Sequence, residues 1–275
     1  MDRKRKVVLI TGCSSGFGLL LSIRLLKEGY FVIATMRDLS KEQQLLSQIK
    51  DPELLVYLDV LELDVINYKQ QGKQLTAILD KYPIIDVFIN NAGVILSGMI
   101  EDLDVSSIVY QYEVNVIACA WLVNQVSKLM IEQNHGQIII ISSLAGRRAM
   151  PMQSMYHSSK FALSGLAESL FFELAPYHIN VSLVEPGVYR TNVWDNAMIR
   201  KAENPTRYKQ KMYRYSDRFT NGKNPEEVVN KVTKIIKTKN PKLHYTIGVS
   251  NWFFILCKGV IYSRPIKLIY QKFMK

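Results

Sequence analysis

The chain has 275 residues, 48% hydrophobic and 21% charged, with a net charge of +11. That balance supplies one large core and excludes an intrinsically disordered chain. The charge is uneven: residues 200–275 carry 18 Lys/Arg against 4 Asp/Glu, a net +14, and the rest sits at −3. A basic quarter of this kind draws anionic phosphates or lipid headgroups, but no nucleic-acid recognition motif accompanies it, so no nucleic-acid partner is expected. Cys13, Cys119 and Cys257 have neither metal-ligand spacing nor even pairing, which suits a reducing compartment and implies no metal site. The basic start runs into an apolar stretch too short for a secretory leader, and a cytoplasmic protein is expected.

In chain order, the first apolar run, 6–10, turns at Thr11-Gly12 and leads into a helical pattern over 18–28. Gly12, Gly16 and Gly18 stand in a G-x-x-x-G-x-G spacing at that junction. Glycines there let the backbone approach a pyrophosphate, which the free N–H groups and dipole of the next helix stabilise. Taken singly, such glycines could do no more than permit the turn. The second run, 30–35, reaches Met36, eighteen residues beyond Gly18, where an NAD site places a carboxylate for the ribose 2′-hydroxyl. Met36 accepts no hydrogen bond there, and the guanidinium of Arg37 suits a 2′-phosphate, so NADP(H) is the expected cofactor. A turn bringing Asp38 to the ribose, or a surface pair between Arg37 and Asp38, are the alternatives.

The third run, 60–64, ends at Asp64 beside Val65, within reach of an adenine, and helical periodicity covers 67–81. The fourth, 84–90, closes on Asn90-Asn91-Ala92-Gly93, a polar, small-residue turn for a cofactor to cross; turn capping is the plainer use of both asparagines. Helical patterns over 105–132 and 155–175 alternate with runs at 137–142, 179–185 and 244–247. Residues 191–224 are polar, basic and weakly periodic, in the position of a lid. The end, 251–275, combines Trp252, Phe253, Ile266, Leu268 and Ile269 with five cations and no acid, and Pro265 divides it into two short helices.

The strand runs are nearly continuous in apolar residues, as strands covered on both faces must be. Their alternation with helices implies an α/β fold: a single-domain, Rossmann-type, doubly wound parallel sheet of about seven strands with helices on both faces. Residues 1–250 form that domain and 251–275 a basic amphipathic tail.

Tyr156 and Lys160 lie four apart and share one helix face. An ammonium ~4 Å from a phenol, at an effective dielectric near 20, favours the phenolate by roughly 4 kcal/mol, about three pKa units. With the charge of an oxidised nicotinamide added, Tyr156 would titrate near neutrality, where general acid/base catalysis works best, with desolvation opposing.

Thr11 to Gly18, Asn90 to Gly93, Asn115, Ser143, Tyr156-x-x-x-Lys160 and Pro186-Gly187 followed by Thr191 stand in an order and spacing that resembles the classical short-chain dehydrogenases/reductases, across residues 5–190. The resemblance implies an oxidoreductase that interconverts a carbonyl and an alcohol. It implies that Tyr156 exchanges the proton, Lys160 also holds the nicotinamide ribose, Ser143 bonds the substrate oxygen and Asn115 holds a water linking Lys160 to solvent. It further implies cofactor contacts at Gly12, Ser14, Ser15, Gly16, Phe17, Gly18, Arg37, Asp64, Val65, Asn91, Ala92, Gly93, Pro186, Gly187, Val188 and Thr191, and a homo-oligomer. Ser158 stands where the family often has alanine, a small change.

Segments 34–38 and 184–187 look like the branch that contains retinol and 17β-hydroxysteroid dehydrogenases, which implies a lipophilic alcohol or ketone. Val94, Leu96, Leu144, Met150, Met152, Met155, Val188, Trp194 and Met198 are expected to face its pocket, methionines adapting to irregular ligands. The four histidines lack ligand spacing and are expected in core or surface roles, and Cys13 as a small residue beside the glycine turn. Two other classes compete. A dinucleotide-binding regulator without turnover would be expected to lack part of the Ser143, Tyr156 and Lys160 set, and a peripheral membrane module would rely on the tail.

Overall fold

The computed structural model describes residues 5–191, 197–216, 222–248 and 258–274. In chain order its elements begin β1 (Val7–Thr11), α1 (Gly16–Lys27), β2 (Phe31–Met36), α2 (Gln43–Leu46), β3 (Leu58–Glu62), α3 (Tyr68–Lys81), β4 (Val87–Asn90), β5 (Leu96–Ser97) and α4 (Val105–Tyr112). There follow α5 (Ala118–Gln133), β6 (Gly136–Ile141), α6 (Ser154–Glu173), β7 (Ile179–Pro186), β8 (Met198–Ile199), α7 (Arg207–Ser216), α8 (Glu226–Lys237), β9 (His244–Ile247), α9 (Lys258–Ile261) and α10 (Arg264–Met274).

Seven strands form one parallel sheet in the order β3-β2-β1-β4-β6-β7-β9, the expected single-domain doubly wound fold. Leu21 and Leu25 of α1 and Val228 and Val232 of α8 pack over Val8, Ile10 and Val32 on one face. Ile78, Leu122, Val126 and Leu163, from α3, α5 and α6, cover Leu9, Ile33, Ile138 and Ile140 on the other. Each fully buried Leu or Ile contributes about 1.5–3 kcal/mol relative to exposure, and this two-sided cover is why the strand runs read as continuous apolar stretches. The order reverses between β1 and β4, so the connections leave to opposite sides and a crevice opens at the strands' carboxyl ends.

Some boundaries move. A 3-10 turn, Pro52–Tyr57, feeds β3 two residues early, so Asp64 lies in the turn after the strand rather than at its end. The long helical pattern after residue 105 resolves into α4, a π-helical turn at Glu113–Ile117 and α5. The segment read as an irregular lid contains β8, paired with β5, and the whole of α7. Among the described residues the tail holds α9 and α10, with Pro265 in the first turn of α10, where its missing N–H costs no helical bond. Trp194 and residues 251–257, including Trp252 and Phe253, lie outside the described residues.

Candidate active site

The glycine turn sits at the mouth of that crevice. Gly12 and Gly16 adopt φ 73° and 59°, left-handed conformations that side chains resist. Gly18 is needed for closeness: a Cβ there would stand 2.3 Å from the Gly12 carbonyl oxygen and 2.6 Å from Asn91 Nδ2. Asn91 is committed to the turn, its Nδ2 donating to the carbonyls of Thr11 (2.8 Å) and Gly12 (3.1 Å). Thr11 Oγ1 in turn accepts the N–H groups of Asn91 and Ala92, both at 3.0 Å. The Asn91 side chain therefore locks β4 to β1, a supporting task that its position in the sequence did not disclose. Ser15 begins α1 with an extended backbone and no side-chain cap, leaving first-turn N–H groups for an anion. A cleft of about 460 Å³ beside them is lined by Ser14, Ser15, Gly16, Gln44, Arg190 and Thr191. Burial pushes the Cys13 thiol up to about 12, so it is a small core residue, as expected, and no thiolate.

At the end of β2, Arg37 is exposed and its Nη1 donates to the Tyr110 hydroxyl at 3.2 Å. Asp38 turns away, its Oδ1 accepting the N–H of Ser40 at 3.0 Å and the Ser40 hydroxyl at 2.6 Å, which holds its carboxyl below the usual range. Asp64 Oδ1 accepts the Ile66 N–H at 3.3 Å, and Val65 is part-buried beside it.

The second half of the site grows from the carboxyl end of β6 and from α6. Ser143 caps a 3-10 turn, Leu144–Gly146, its Oγ accepting the Ala145 N–H at 3.1 Å and donating to the Pro186 carbonyl at 3.4 Å. Tyr156 lines the same pocket, near enough for the Ser143 hydroxyl to favour its phenolate. Ser142 also lines the pocket, but its Oγ has no hydrogen-bond partner among the described residues. Lys160 is buried one turn on, with Nζ donating to the Ile141 carbonyl at 3.2 Å and standing 5.8 Å from the Tyr156 ring centre.

Burial raises the Tyr156 phenol above its usual value, with the Ser143 bond pulling the other way, and lowers Lys160 to about 8. The ammonium points at a backbone carbonyl, and without the nicotinamide charge that the expectation includes, desolvation is the largest effect on both groups. The protein's own groups leave Tyr156 protonated at neutral pH.

The π-helical turn presents Asn115, whose Oδ1 accepts the Val94 N–H at 2.8 Å while Nδ2 donates to Val94 O (3.0 Å) and Ser159 Oγ (3.1 Å). Gly93 stands beside both groups: a Cβ there would make ordinary contacts, 3.4 Å from Asn115 Oδ1 and 3.7 Å from Lys160 Nζ. His157 is a core histidine, as expected. Its Nδ1 contacts the Ala145 carbonyl at 3.0 Å and its Nε2 accepts the Met150 N–H at 3.1 Å, while burial lowers its pKa.

The pocket over Ser143 and Tyr156 has a volume of about 110 Å³ and opens to solvent. Leu144, Met150 and Val188 line it as expected, with Phe17, Pro186, Gly187 and Thr191. Val94, Leu96, Met152, Met155 and Met198 are not among its lining residues: Leu96 and Met198 pair in the β5–β8 ladder, and Met152 packs on Met212 and Tyr213. Ile95, Arg148, Gln153 and Tyr189 line it unforeseen, because they sit on loops whose facing no periodicity reveals.

Comparisons with known proteins agree with this geometry. A sequence profile for short chain dehydrogenases matches residues 6–202. Retinol dehydrogenase 8 of Homo sapiens is 33% identical over 252 residues, covering 86% of this chain and 80% of that protein. Among solved structures, a short-chain dehydrogenase from Streptomyces avermitilis aligns with a TM-score of 0.83 at 26% identity over 98% of this chain and 97% of that one. An actinorhodin polyketide ketoreductase with NADPH aligns at a TM-score of 0.73 and 26% identity, covering 88% and 95%. With its doubly wound sheet, its glycine turn and the Ser143, Tyr156 and Lys160 cluster, this chain belongs to the short-chain dehydrogenase/reductase family of oxidoreductases.

Proposed function

We propose that the protein is an NADP(H)-dependent oxidoreductase that interconverts the carbonyl and alcohol forms of a lipophilic compound, with Tyr156 as general acid/base. The observation that carries this reading is the Ser143–Tyr156 hydroxyl pair beside buried Lys160, at the base of a largely apolar pocket. The donor set fits a dinucleotide: the glycine turn and the α1 N-terminus would hold the diphosphate, Arg37 the 2′-phosphate, Lys160 the nicotinamide ribose, and the Pro186 to Thr191 turn the carboxamide. The nicotinamide supplies or takes the hydride when bound. Ser143 orients the substrate oxygen and Tyr156 Oη gives it a proton during reduction, Asn115 and Lys160 leading towards solvent. The name of retinol dehydrogenase 8 and the NADPH of the ketoreductase point the same way for substrate and cofactor. Residues 191–224 serve as the lid, α7 packing on Met152 beside the pocket.

A screen of a retinaldehyde, a steroid ketone and a simple water-soluble aldehyde, followed by NADPH absorbance, tests the reading. Consumption with a lipophilic carbonyl is the expected result. Preference for the simple aldehyde would refute the lipophilic assignment, and no consumption with any of them would refute the reductase.

The tail adds contact with an anionic membrane surface. Val260 (64%), Leu268 (55%) and Ile269 (59%) are exposed, Arg264 and Lys267 flank them, and no acid occurs after residue 257. The segment is tethered to the body by tyrosine hydroxyls. Tyr262 accepts the Ala149 N–H and donates to its carbonyl, both at 2.8 Å, and Tyr270 donates to Met212 Sδ at 3.2 Å. An apolar strip among cations suits an interfacial helix, each cation adding about 1 kcal/mol near an anionic surface. The continuous helical stretch Val105–Gln133 is long and apolar enough to cross a bilayer, but half of it is buried as a core helix. The protein is expected to co-sediment with phosphatidylserine-containing vesicles at low salt, and Leu268→Glu with Ile269→Glu to abolish this. Absence of the wild-type protein from the vesicle pellet rules the contact out. Exposed Val105, Ile117 and Phe172 on α4 to α6 support a homo-oligomer.

A further inference from the structure

Two charged side chains are buried among the described residues, and the proposed chemistry uses one of them, Lys160. The other is Glu185, 0% exposed, which precedes the Pro186-Gly187 turn at the end of β7. Its Oε1 accepts from Arg147 Nε at 2.6 Å, and its Oε2 accepts from Thr246 Oγ1 of β9 at 3.0 Å. Behind it, His244 stands with Nδ1 3.5 Å from Glu185 Oε1 and Nε2 3.4 Å from Glu168 Oε1 of α6.

Arg147 ends the 3-10 turn that Ser143 caps. That turn is pressed onto α6, since a Cβ on Gly146 would lie 2.7 Å from the Lys160 carbonyl oxygen. The segment that carries Ser143 is therefore tied to β7 at two points four residues apart: Ser143 Oγ to the Pro186 carbonyl and Arg147 to the Glu185 carboxylate. Stability alone gives little reason for a charge here, because replacing a buried ion pair with well-packed neutral residues often leaves a fold as stable or more so. A charge-assisted bond from a planar guanidinium does what packing does not: it fixes direction.

We propose that Arg147 and Glu185 form a clamp that positions Ser143 against the Pro186-Gly187 turn, so that one substrate oxygen meets Ser143 and Tyr156 together. Both are positioning residues that act through Ser143, and the inference rests on the role given to Ser143 above. A misplacement of about 1 Å in an oriented group costs up to about 10²-fold in rate, which sets the size of the effect.

Removing one partner strands a buried charge and can prevent folding, so the decisive variant neutralises both, Arg147→Met with Glu185→Gln. It is expected to keep the wild-type melting temperature and NADPH affinity and to lose about 10- to 100-fold in kcat on the carbonyl found in the screen. Arg147→Lys, which keeps the charge without the fork, is expected to fold and to lose part of the wild-type rate. In a Ser143→Ala background the paired substitution should cost nothing further. Hydrogen exchange reads the clamp without turnover: amides of 144–148 should lose protection in the paired variant while those of β6 and β7 keep it. If the wild-type protein turns over no carbonyl, the functional reading fails while exchange still judges the clamp. Wild-type kcat in the paired variant, additive losses with Ser143→Ala, or unchanged exchange at 144–148 would overturn it.

Discussion

Tyr156→Phe is expected to bind NADPH as the wild type does and to lose about 10²–10⁴-fold in turnover, the usual worth of a positioned general acid/base. The substitution deletes one oxygen and keeps the ring, which packs edge-on to His157 with centroids 6.2 Å apart, so the pocket keeps its shape. Burial holds the phenol protonated, the form that donates during carbonyl reduction, and Ser143 faces the same pocket. Lys160 remains buried and bonded to the Ile141 carbonyl, which leaves its side of the cofactor site in place. Stopped-flow NADPH oxidation with a confirmed substrate, beside a fluorescence titration of NADPH, separates the two effects. Near wild-type turnover would remove Tyr156 from the mechanism.

Arg37→Ala should weaken NADPH about 10- to 100-fold and leave NADH affinity unchanged, since a hydrogen bond to a charged group contributes about 1.5–3 kcal/mol. The wild type should prefer NADPH in both affinity and kcat/KM. Arg37 is exposed and bonded to the neutral Tyr110 hydroxyl, a partner that a phosphate dianion displaces. Asp38 Oδ1 is bonded to the N–H and hydroxyl of Ser40. The sequence alone invites Met36→Asp as a way to switch preference, and the structure advises against it. Met36 is 1% exposed in the core beneath the glycine turn, and a carboxylate there would be buried without a partner. Calorimetric titration of the wild type with each dinucleotide decides the matter: equal or tighter NADH binding means that Arg37 reads no phosphate.

What the chain determined by itself was whatever local physics encodes. The strands were legible because two-sided burial demands unbroken apolar runs such as residues 138–141, and the last strand, His244–Ile247, lies where its run predicts it. The glycine turn was legible because glycine most readily adopts the left-handed backbone of Gly12 and Gly16, and no Cβ fits the approach at Gly18. The four-residue step from Tyr156 to Lys160 was legible because a helix brings such positions onto one face.

Tertiary structure decided what depends on groups distant in sequence. Asn91 supports the turn 80 residues before it, and Arg147 meets Glu185 across 38 residues, pairings that no spacing announces. The pocket wall passed to Ile95, Gln153 and Tyr189 because loops have no period to show which side they present. The protonation of Tyr156 and Lys160 without cofactor is likewise set by the fold. Sequence spacing sets how near two charges stand, but the fold sets how much water each has lost, and here that loss is the larger energy.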